Sequence, residues 1–289
     1  MQTSKREGEQ VFHTRGLALV MAGAVCGFLQ ASPVTAQGSD PERLEAFMEV
    51  TGFDVAMDSI ALAAGDAPLM LGMSASDFGT SWTQLADEVF DTELMNDMAV
   101  EILSATLSDD LLTHAAEFYA SDLGRRLVEV ENASHLADDD VKQAQGTDIV
   151  ARGLETGDLR IEILQDLNTA VDSSGTAVRA VQEIQVRFLM AASNSGVLEQ
   201  VLDETALRAA LKENEAALRV DLQTSALANA AFTYRDIPED DLQAYLEALE
   251  HPDMQQVYEL MNAVQYEVMA NRFELLGARM AELHPGEEL

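Results

Sequence analysis

Apolar residues recur along most of this chain with the spacing of an α-helix. Residues three and four positions apart lie on one face of a helix, where a core can cover them. Strand signals are scarce, since Asn-Gly and Asp-Gly hairpin turns and alternating β-branched runs are absent. The pattern predicts an all-α protein, a multi-helix bundle of about a dozen helices. Examples are Leu44/Phe47/Met48, Leu85/Val89/Phe90, Ile161/Leu164/Leu167 and Val178/Val181/Ile184.

Helix boundaries are also marked in the sequence. Asp40 followed by Pro41 is typical of an N-cap and the first helical residue. The stretch "ALRAALKENEAALRVDL", residues 206–222, is rich in strong helix formers. Its apolar positions 207, 211, 218 and 222 form one stripe. We predict a single long helix here.

The first 36 residues have a different pattern, which is typical of a secretory signal peptide. Lys5, Arg6 and Arg15 give a basic start, an apolar run of 13 residues covers 17–29, and small residues end at Ala36. Because the run is shorter than the ~20 residues that span a bilayer, no stable membrane anchor is expected after cleavage. We predict cleavage after Ala36 and a periplasmic location, with secretion as the alternative.

Composition then narrows the functional classes. Cys26 is the only cysteine, so cleavage would leave a chain without disulfides or thiol catalysis. The chain has 51 acidic and 17 basic residues, a net charge of -34; residues 37–289 have 49 and 14, a net charge of -35. This charge, with no basic cluster, argues against nucleic-acid binding and adhesion to an anionic membrane. Spread carboxylates are typical of a solvated surface, and binding of cations or basic partners is the alternative.

Two segments 130 residues apart share one order of features. "LSDDLLTHAAEFYASDLGRRLV" begins at Leu107 and "IPEDDLQAYLEALEHPDMQQVY" begins at Ile237, so that Leu112 aligns with Leu242. Each predicts an acidic helix start, a striped helix, a short break and a second helix. Divergence from one duplicated unit is our interpretation, and chance similarity is the alternative. The predicted organisation is a signal peptide at 1–36, a first helical unit at 37–140 and a second, diverged unit at 141–289.

The first of these segments predicts two helices that meet at a close corner. Ser108 and Ser121 are placed as N-caps, and Gly124 removes a side chain where the two helices come closest. For Tyr119, a buried position with a paired hydroxyl is favoured over ligand contact. We therefore interpret the set Phe118, Tyr119, Ser121 and Gly124 as a structural motif.

Arg125 and Arg126 follow the motif and are the candidate binding residues. The pair could clamp an anion. In so acidic a chain, however, salt bridges to nearby carboxylates are favoured.

The same stretch resembles a bacterial exported family known as domain of unknown function 2059. The resemblance rests on an acidic helix start followed by Phe118, Tyr119, Ser121 and Gly124, and it covers residues 90–135 best. It implies a helical, periplasmic protein, and it implies no activity, substrate or catalytic residue. A second copy around 220–270 departs from the pattern at the Phe-Tyr, Ser and Gly positions, so it would only support the first.

No catalytic or cofactor signature is present, and we predict no catalytic residue, metal site or cofactor. Nucleophile elbows, phosphate-binding glycine loops and dinucleotide fingerprints are missing. The histidines are far apart and lack His-Glu-x-x-His spacing, although folding could assemble a zinc site from distant residues. Outside the signal these are His114, His135, His251 and His284.

Two other patterns have simpler structural interpretations. The acidic run 138–140 lacks the alternate spacing of a calcium loop and is interpreted as a helix start. The methionine pairs could suggest copper(I), but core filling is favoured because methionine adapts to irregular gaps. The pairs are Met70/Met73 and Met95/Met98.

Three functions remain in competition. The leading hypothesis is a non-enzymatic exported protein that binds a protein or peptide in grooves between its helices, as an envelope-associated factor. The second is a hydrolase or lyase that uses carboxylates such as Glu117 with Tyr119. The third is a metal-buffering protein. The sequence does not indicate an oligomeric state.

Overall fold

The computed structural model describes residues 40–198 and 201–283. Within these ranges the regular elements are helices and no strand is found, so the all-α multi-helix prediction is confirmed. The α-helices are α1 Pro41–Thr51, α2 Phe53–Ser59, α3 Thr80–Val89, α4 Thr92–Thr106, α5 Asp109–Tyr119, α6 Asp122–His135, α7 Asp139–Thr156, α8 Arg160–Val171, α9 Ala177–Asn194, α10 Glu204–Glu213, α11 Glu215–Thr233, α12 Glu239–Leu249 and α13 Pro252–Arg279, and 3-10 helices cover Ile60–Leu71, Ala75–Phe78 and Met280–Glu282.

Short polar side chains begin many of these helices. Asp40 precedes α1, with Pro41 as its first residue, and accepts the backbone N–H of Glu42 at 3.2 Å. Asp138 precedes α7 and accepts that of Val141 at 3.0 Å. Each cap satisfies a backbone donor that the first helical turn leaves free. The predicted N-cap signals are therefore present at these helix starts.

The core is organised around α13. This helix has 28 residues, which corresponds to roughly 42 Å at 1.5 Å per residue. It packs against α9, α4, α5, α3, α8 and α12. Its buried residues extend from Met254 to Gly277, nearly its whole length. Apolar side chains from both halves of the described chain join one buried cluster around it.

The predicted single helix over 206–222 is wrong, because the chain breaks at Asn214. Helix α10 ends at Glu213 and α11 begins at Glu215, with Asn214 between them at φ -94° and ψ 1°. The amide of Asn214 donates to the carbonyl of Ala210 at 3.1 Å. Asparagine competes in this way with helical hydrogen bonding. The break lets α10 pack on α9 while α11 packs on α7 and α8.

The two segments compared in the sequence have the same helical layout. Helices α5 and α12 each have 11 residues and begin at Asp109 and Glu239, which are 130 positions apart. Helices α6 and α13 begin at Asp122 and Pro252, again 130 apart. Leu112 and Leu242 are both buried. The layout agrees with the aligned pattern, while duplication of a common unit stays a prediction.

Two further sequence predictions are the signal peptide and the boundary between two helical units. The signal peptide at 1–36 lies outside the described residues. The predicted boundary near residue 140 falls in the first turn of α7, and the division into two units stays a prediction. Among the described helices, none combines the length and the apolar character needed to cross a membrane.

Candidate functional site

The motif residues form the predicted corner between α5 and α6. The hydroxyl oxygen of Ser121 accepts the backbone N–H of Gly124 at 3.0 Å, which caps α6. A Cβ atom on Gly124 would lie 2.3 Å from the carbonyl oxygen of Phe118 and 2.5 Å from the Cα of Tyr119. Both neighbours are backbone atoms, which cannot move aside as a side chain could. Ser121 and Gly124 therefore have structural roles here.

The two aromatic motif residues point into the protein. The Phe118 ring is nearly parallel to that of Tyr245, with centroids 5.9 Å apart and planes at 9°. Tyr119 is 1% exposed, and its ring meets Phe118 edge-on. The motif thus connects α5 to α12 through ring contacts.

Four tyrosines and one glutamate from five different parts of the chain meet beside this motif. The hydroxyl groups of Tyr119, Tyr245 and Tyr258 are mutually hydrogen-bonded, with Tyr119–Tyr245 at 3.2 Å and Tyr245–Tyr258 at 2.9 Å. Tyr234 donates its hydroxyl to Oε1 of Glu131 at 2.7 Å. We call Tyr119, Tyr234, Tyr245, Tyr258 and Glu131 the tyrosine cluster.

Burial controls the protonation of the tyrosine cluster. It raises the pKa of the Glu131 carboxyl group from 4.5 to about 7, although hydrogen bonds from Tyr234 and Tyr245 act in the opposite direction. The residue as a whole is half-buried, and its carboxyl group is enclosed by the phenols. Burial likewise raises the pKa of Tyr119 and Tyr245, so the phenols stay neutral. Glu131 is thus the member that exchanges a proton near neutral pH.

The acid–base pair that the sequence suggested is not formed. Glu117 is exposed on α5 whereas Tyr119 is buried, because positions two apart point to different sides of a helix. The carboxylate that acts electrostatically on Tyr119 is Glu131, which sequence reasoning missed. Neither of the two grooves described below is lined by Glu131.

Arg125 and Arg126 both form ion pairs within the protein. Arg125 pairs with Asp122 on the same helix, and Arg126 pairs with Asp241 of α12 at 2.7 Å. The salt-bridge interpretation agrees with these contacts. Binding of a ligand by either arginine stays a prediction.

A shallow groove of about 530 Å³ borders Arg125. Glu49 and Glu129 line the same groove. Two carboxylates next to one guanidinium oppose the binding of an anion, so this groove does not favour the anion clamp.

A larger groove of about 650 Å³ lies between α8 and α11. The N-terminal end of α9 and Tyr266 of α13 close one part of it. The side chain of Asn168 is half-buried and that of Gln223 is exposed, so both amides are accessible from the groove. The lining residues are Gln165, Asn168, Thr169, Val171, Asp172, Gly175, Ala177, Val178, Arg219, Val220, Leu222, Gln223, Thr224, Ala226, Leu227 and Tyr266.

The lining combines two kinds of surface. Apolar side chains such as Val220 and Leu227 can cover an aliphatic group, while Asn168 and Gln223 offer both donors and acceptors. Arg219 supplies a positive charge and is itself held by Glu215 at 3.0 Å. The groove can therefore accept a ligand that alternates amide groups with apolar side chains.

Folding also brings together two of the four histidines that lie outside the predicted signal peptide. The rings of His114 on α5 and His251 at the start of α13 are stacked, with centroids 4.5 Å apart. Asp253 lies beside them. His135 is elsewhere, and burial lowers its pKa; His284 lies outside the described residues. The pairing of His114 with His251 could not be expected from positions 137 apart.

The methionine pairs and the acidic run 138–140, which the sequence left as possible metal ligands, have structural roles. Met95 is fully buried, and Met70, Met73 and Met98 pack partly buried against the core, as core-filling side chains do. Asp138 caps α7, so the acidic run is a helix start.

Comparison with known proteins identifies one family. Residues 93–152 match the model of a family described as "Uncharacterized protein conserved in bacteria (DUF2059)". The predicted resemblance is confirmed over this segment, which runs from the start of α4 into α7 and includes the motif, Glu131 and His114. The curated proteins and the solved structures give no match. The family description carries no activity.

Proposed function

We propose that this chain is an exported, non-enzymatic binding protein that holds a short peptide segment in the groove between α8 and α11. The observation that carries the proposal is the composition of the groove. Amide side chains and apolar side chains line it together, on α8 and on α11. An extended peptide presents backbone amides as well as side chains, so a lining of this mixed kind supports binding of such a segment.

The length of the groove sets the size of its ligand. Its lining covers 165–171 on α8, with Asp172 directly after that helix, and 219–227 on α11. At 1.5 Å per residue these faces are roughly 10 to 12 Å long. An extended strand rises about 3.3 Å per residue, so about three or four residues fit. The ligand is therefore a short segment of a peptide or of a flexible protein region.

Charge favours a basic partner. The whole chain has a net charge of -34, which attracts cationic ligands and repels anionic ones at long range. The groove itself has one basic and one acidic side chain, Arg219 and Asp172. We propose that steering comes from the protein surface and that contact in the groove is made mainly with amides and aliphatic groups.

The proposal that the protein is exported rests on the sequence pattern at 1–36. The basic start, the short apolar run and the small residues before Gln37 support a cleaved signal and a periplasmic location. A role as an envelope-associated factor is consistent with that location. The family match supports a bacterial setting.

Titration of labelled peptides tests the binding role. Fluorescence anisotropy would follow two six-residue peptides, one alternating leucine with lysine and one alternating leucine with glutamate. We expect saturable binding of the first and much weaker binding of the second. Gln223→Ala and Asn168→Ala should each weaken binding by about 3- to 10-fold, since a lost hydrogen bond costs roughly 0.5–1.5 kcal/mol.

Gln145→Ala is the matched control, because Gln145 is exposed on α7 outside the groove. This variant should bind as the unchanged protein does. If neither peptide binds, or if the groove variants and the control bind equally, the groove is not the binding site.

A further inference from the structure

We infer that His114, His251 and Asp253 form a binding site for a divalent transition-metal ion of the zinc type. Two imidazoles and one carboxylate are placed so that one ligand atom from each lies within 4.8 Å of the other two. Such a nitrogen-rich set suits zinc, copper or nickel, whereas magnesium and calcium prefer oxygen ligands alone. We call these three residues the His-His-Asp site.

Only small side-chain movements are needed to bring the three ligand atoms to the separations found in zinc sites. Zinc binds nitrogen and carboxylate oxygen at about 2.0–2.2 Å, so tetrahedral ligands stand roughly 3.4 Å apart. The His-His-Asp site therefore needs movements of about 1 Å, within the reach of side-chain rotation. His251 and Asp253 are half exposed, with 50% and 55% of their side-chain surface accessible, so both side chains have room to rotate.

The backbone positions of the ligands are fixed by the fold. His114 lies within α5, while His251 is the N-cap of α13 and Asp253 is in its first turn. Helices α5 and α13 pack against each other. The stacked imidazole rings, with planes at 28°, show that this packing presents the two histidines side by side. A bound ion would connect α5 to the start of α13.

Two contacts of His251 compete with the metal. Its Nδ1 atom accepts the backbone N–H of Asp253 at 3.3 Å, which caps α13, and lies 3.8 Å from Oδ2 of Asp253. The hydrogen bond is longer than an ordinary N–H donor bond, and zinc binding must offset the loss of this cap. Three protein ligands at an exposed position leave at least one coordination place for water, as in an open zinc site.

The His-His-Asp site is separate from the proposed peptide groove. Asp253 and Tyr266 are 13 residues apart on α13, which is roughly 20 Å along the helix axis. Metal binding and peptide binding can therefore be tested independently. Failure of one would leave the other standing.

Calorimetric titration of the untagged, purified protein with zinc chloride tests the His-His-Asp site. We expect one zinc ion per chain and no comparable heat with magnesium chloride. His114→Ala, His251→Ala and Asp253→Asn should each reduce zinc affinity by at least about tenfold, since loss of even an outer-sphere partner costs 10- to 100-fold. Zinc should also raise the Tm of the unchanged protein and not that of His114→Ala.

Two controls separate this site from the acidic surface and from imidazoles elsewhere. Glu117→Gln removes an exposed carboxylate one turn from His114, and His135→Gln removes a histidine outside the cluster. Both should keep the affinity for zinc. Zinc binding that is equally strong in the three site variants, or equal binding of zinc and magnesium, would assign the ion to dispersed carboxylates and overturn the inference. Absence of zinc binding would overturn it as well.

Discussion

At the scale of single residues, Glu131 is the side chain whose surroundings differ most from those of an ordinary surface carboxylate. Tyr234 donates to it, and the neighbouring phenols of Tyr119, Tyr245 and Tyr258 exclude water from the tyrosine cluster. Burial penalises the charged form of an acid, which is why its pKa rises to about 7. We therefore expect protein stability to depend on pH close to neutrality.

Ionisation of Glu131 should destabilise the folded protein as the pH rises. Below about pH 4.5 the group is protonated in both the folded and the unfolded chain. Between pH 4.5 and about 7 the folded state keeps a proton that the unfolded state has released, so the free energy of unfolding falls. At about 1.4 kcal/mol per pH unit, a shift from 4.5 to about 7 gives a loss of at most roughly 3.5 kcal/mol, which is complete above the folded pKa.

Glu131→Gln tests this dependence, because glutamine keeps an oxygen acceptor for Tyr234 and never ionises. Urea unfolding at pH 5 and pH 8 should give the variant a growing advantage over the unchanged protein as the pH rises. Glu129→Gln, an exposed neighbour on α6, should follow the unchanged protein at both values. Parallel pH profiles for Glu131→Gln and the unchanged protein would mean that Glu131 does not titrate in this range.

The sequence could predict the local roles of motif residues but not the tyrosine cluster. Ser121 and Gly124 act within one corner, where capping and the absence of a side chain follow from neighbouring positions. Glu131 is one of 51 acidic residues, and its tyrosine partners come from distant helices. The burial and the pKa of Glu131 depend on how these helices pack. Neither the spacing nor the types of the five residues in the sequence indicate that packing.

At the scale of helices, the α5–α6 corner and the α12–α13 corner share a layout but differ in how closely their backbones approach. Met254 occupies the position that corresponds to Gly124, and it is fully buried. A methionine side chain at this point requires space that the first corner does not have. The close approach is therefore specific to the motif of the first corner.

Gly124→Ala should lower the free energy of unfolding by about 1–3 kcal/mol, the cost of an overpacked contact. The new methyl group would meet the backbone of Phe118 and Tyr119, which can only move with the whole corner. Urea denaturation measures the change. Gly65→Ala is the control, since a Cβ there has no neighbour within 4 Å, and it should leave stability unchanged or slightly higher. Equal midpoints for both variants would contradict a tight corner.

Helix boundaries were predictable where a capping residue and a change of apolar pattern coincide. Asp40, Ser108 and Asp138 are such places. The break at Asn214 was missed because strong helix formers stand on both sides of it. Helix α10 packs on α9, whereas α11 packs mainly on α7, and intrinsic helix propensity does not include such tertiary contacts.

At the scale of the whole molecule, one buried core extends over both predicted units, and stability comes from apolar packing around α13. The whole chain has a net charge of -34, and in the part that the structure describes the carboxylates lie mainly on exposed helix faces. Such a surface keeps a protein soluble and suits partners with positive charge. This surface can contact proteins of the cell envelope only if the chain is exported.

Export should depend on the segment at 1–36. When the full chain is expressed in a Gram-negative bacterium, we expect the periplasmic fraction to contain a protein whose mass corresponds to residues 37–289. Ala36→Phe should prevent this cleavage, because signal processing needs a small residue at the cut. Deletion of residues 2–36 should keep the folded protein in the cytoplasm. Intact mass spectrometry of both fractions measures all three. An uncleaved chain that stays in the cytoplasm would contradict the signal peptide and, with it, the periplasmic setting of the proposed binding role.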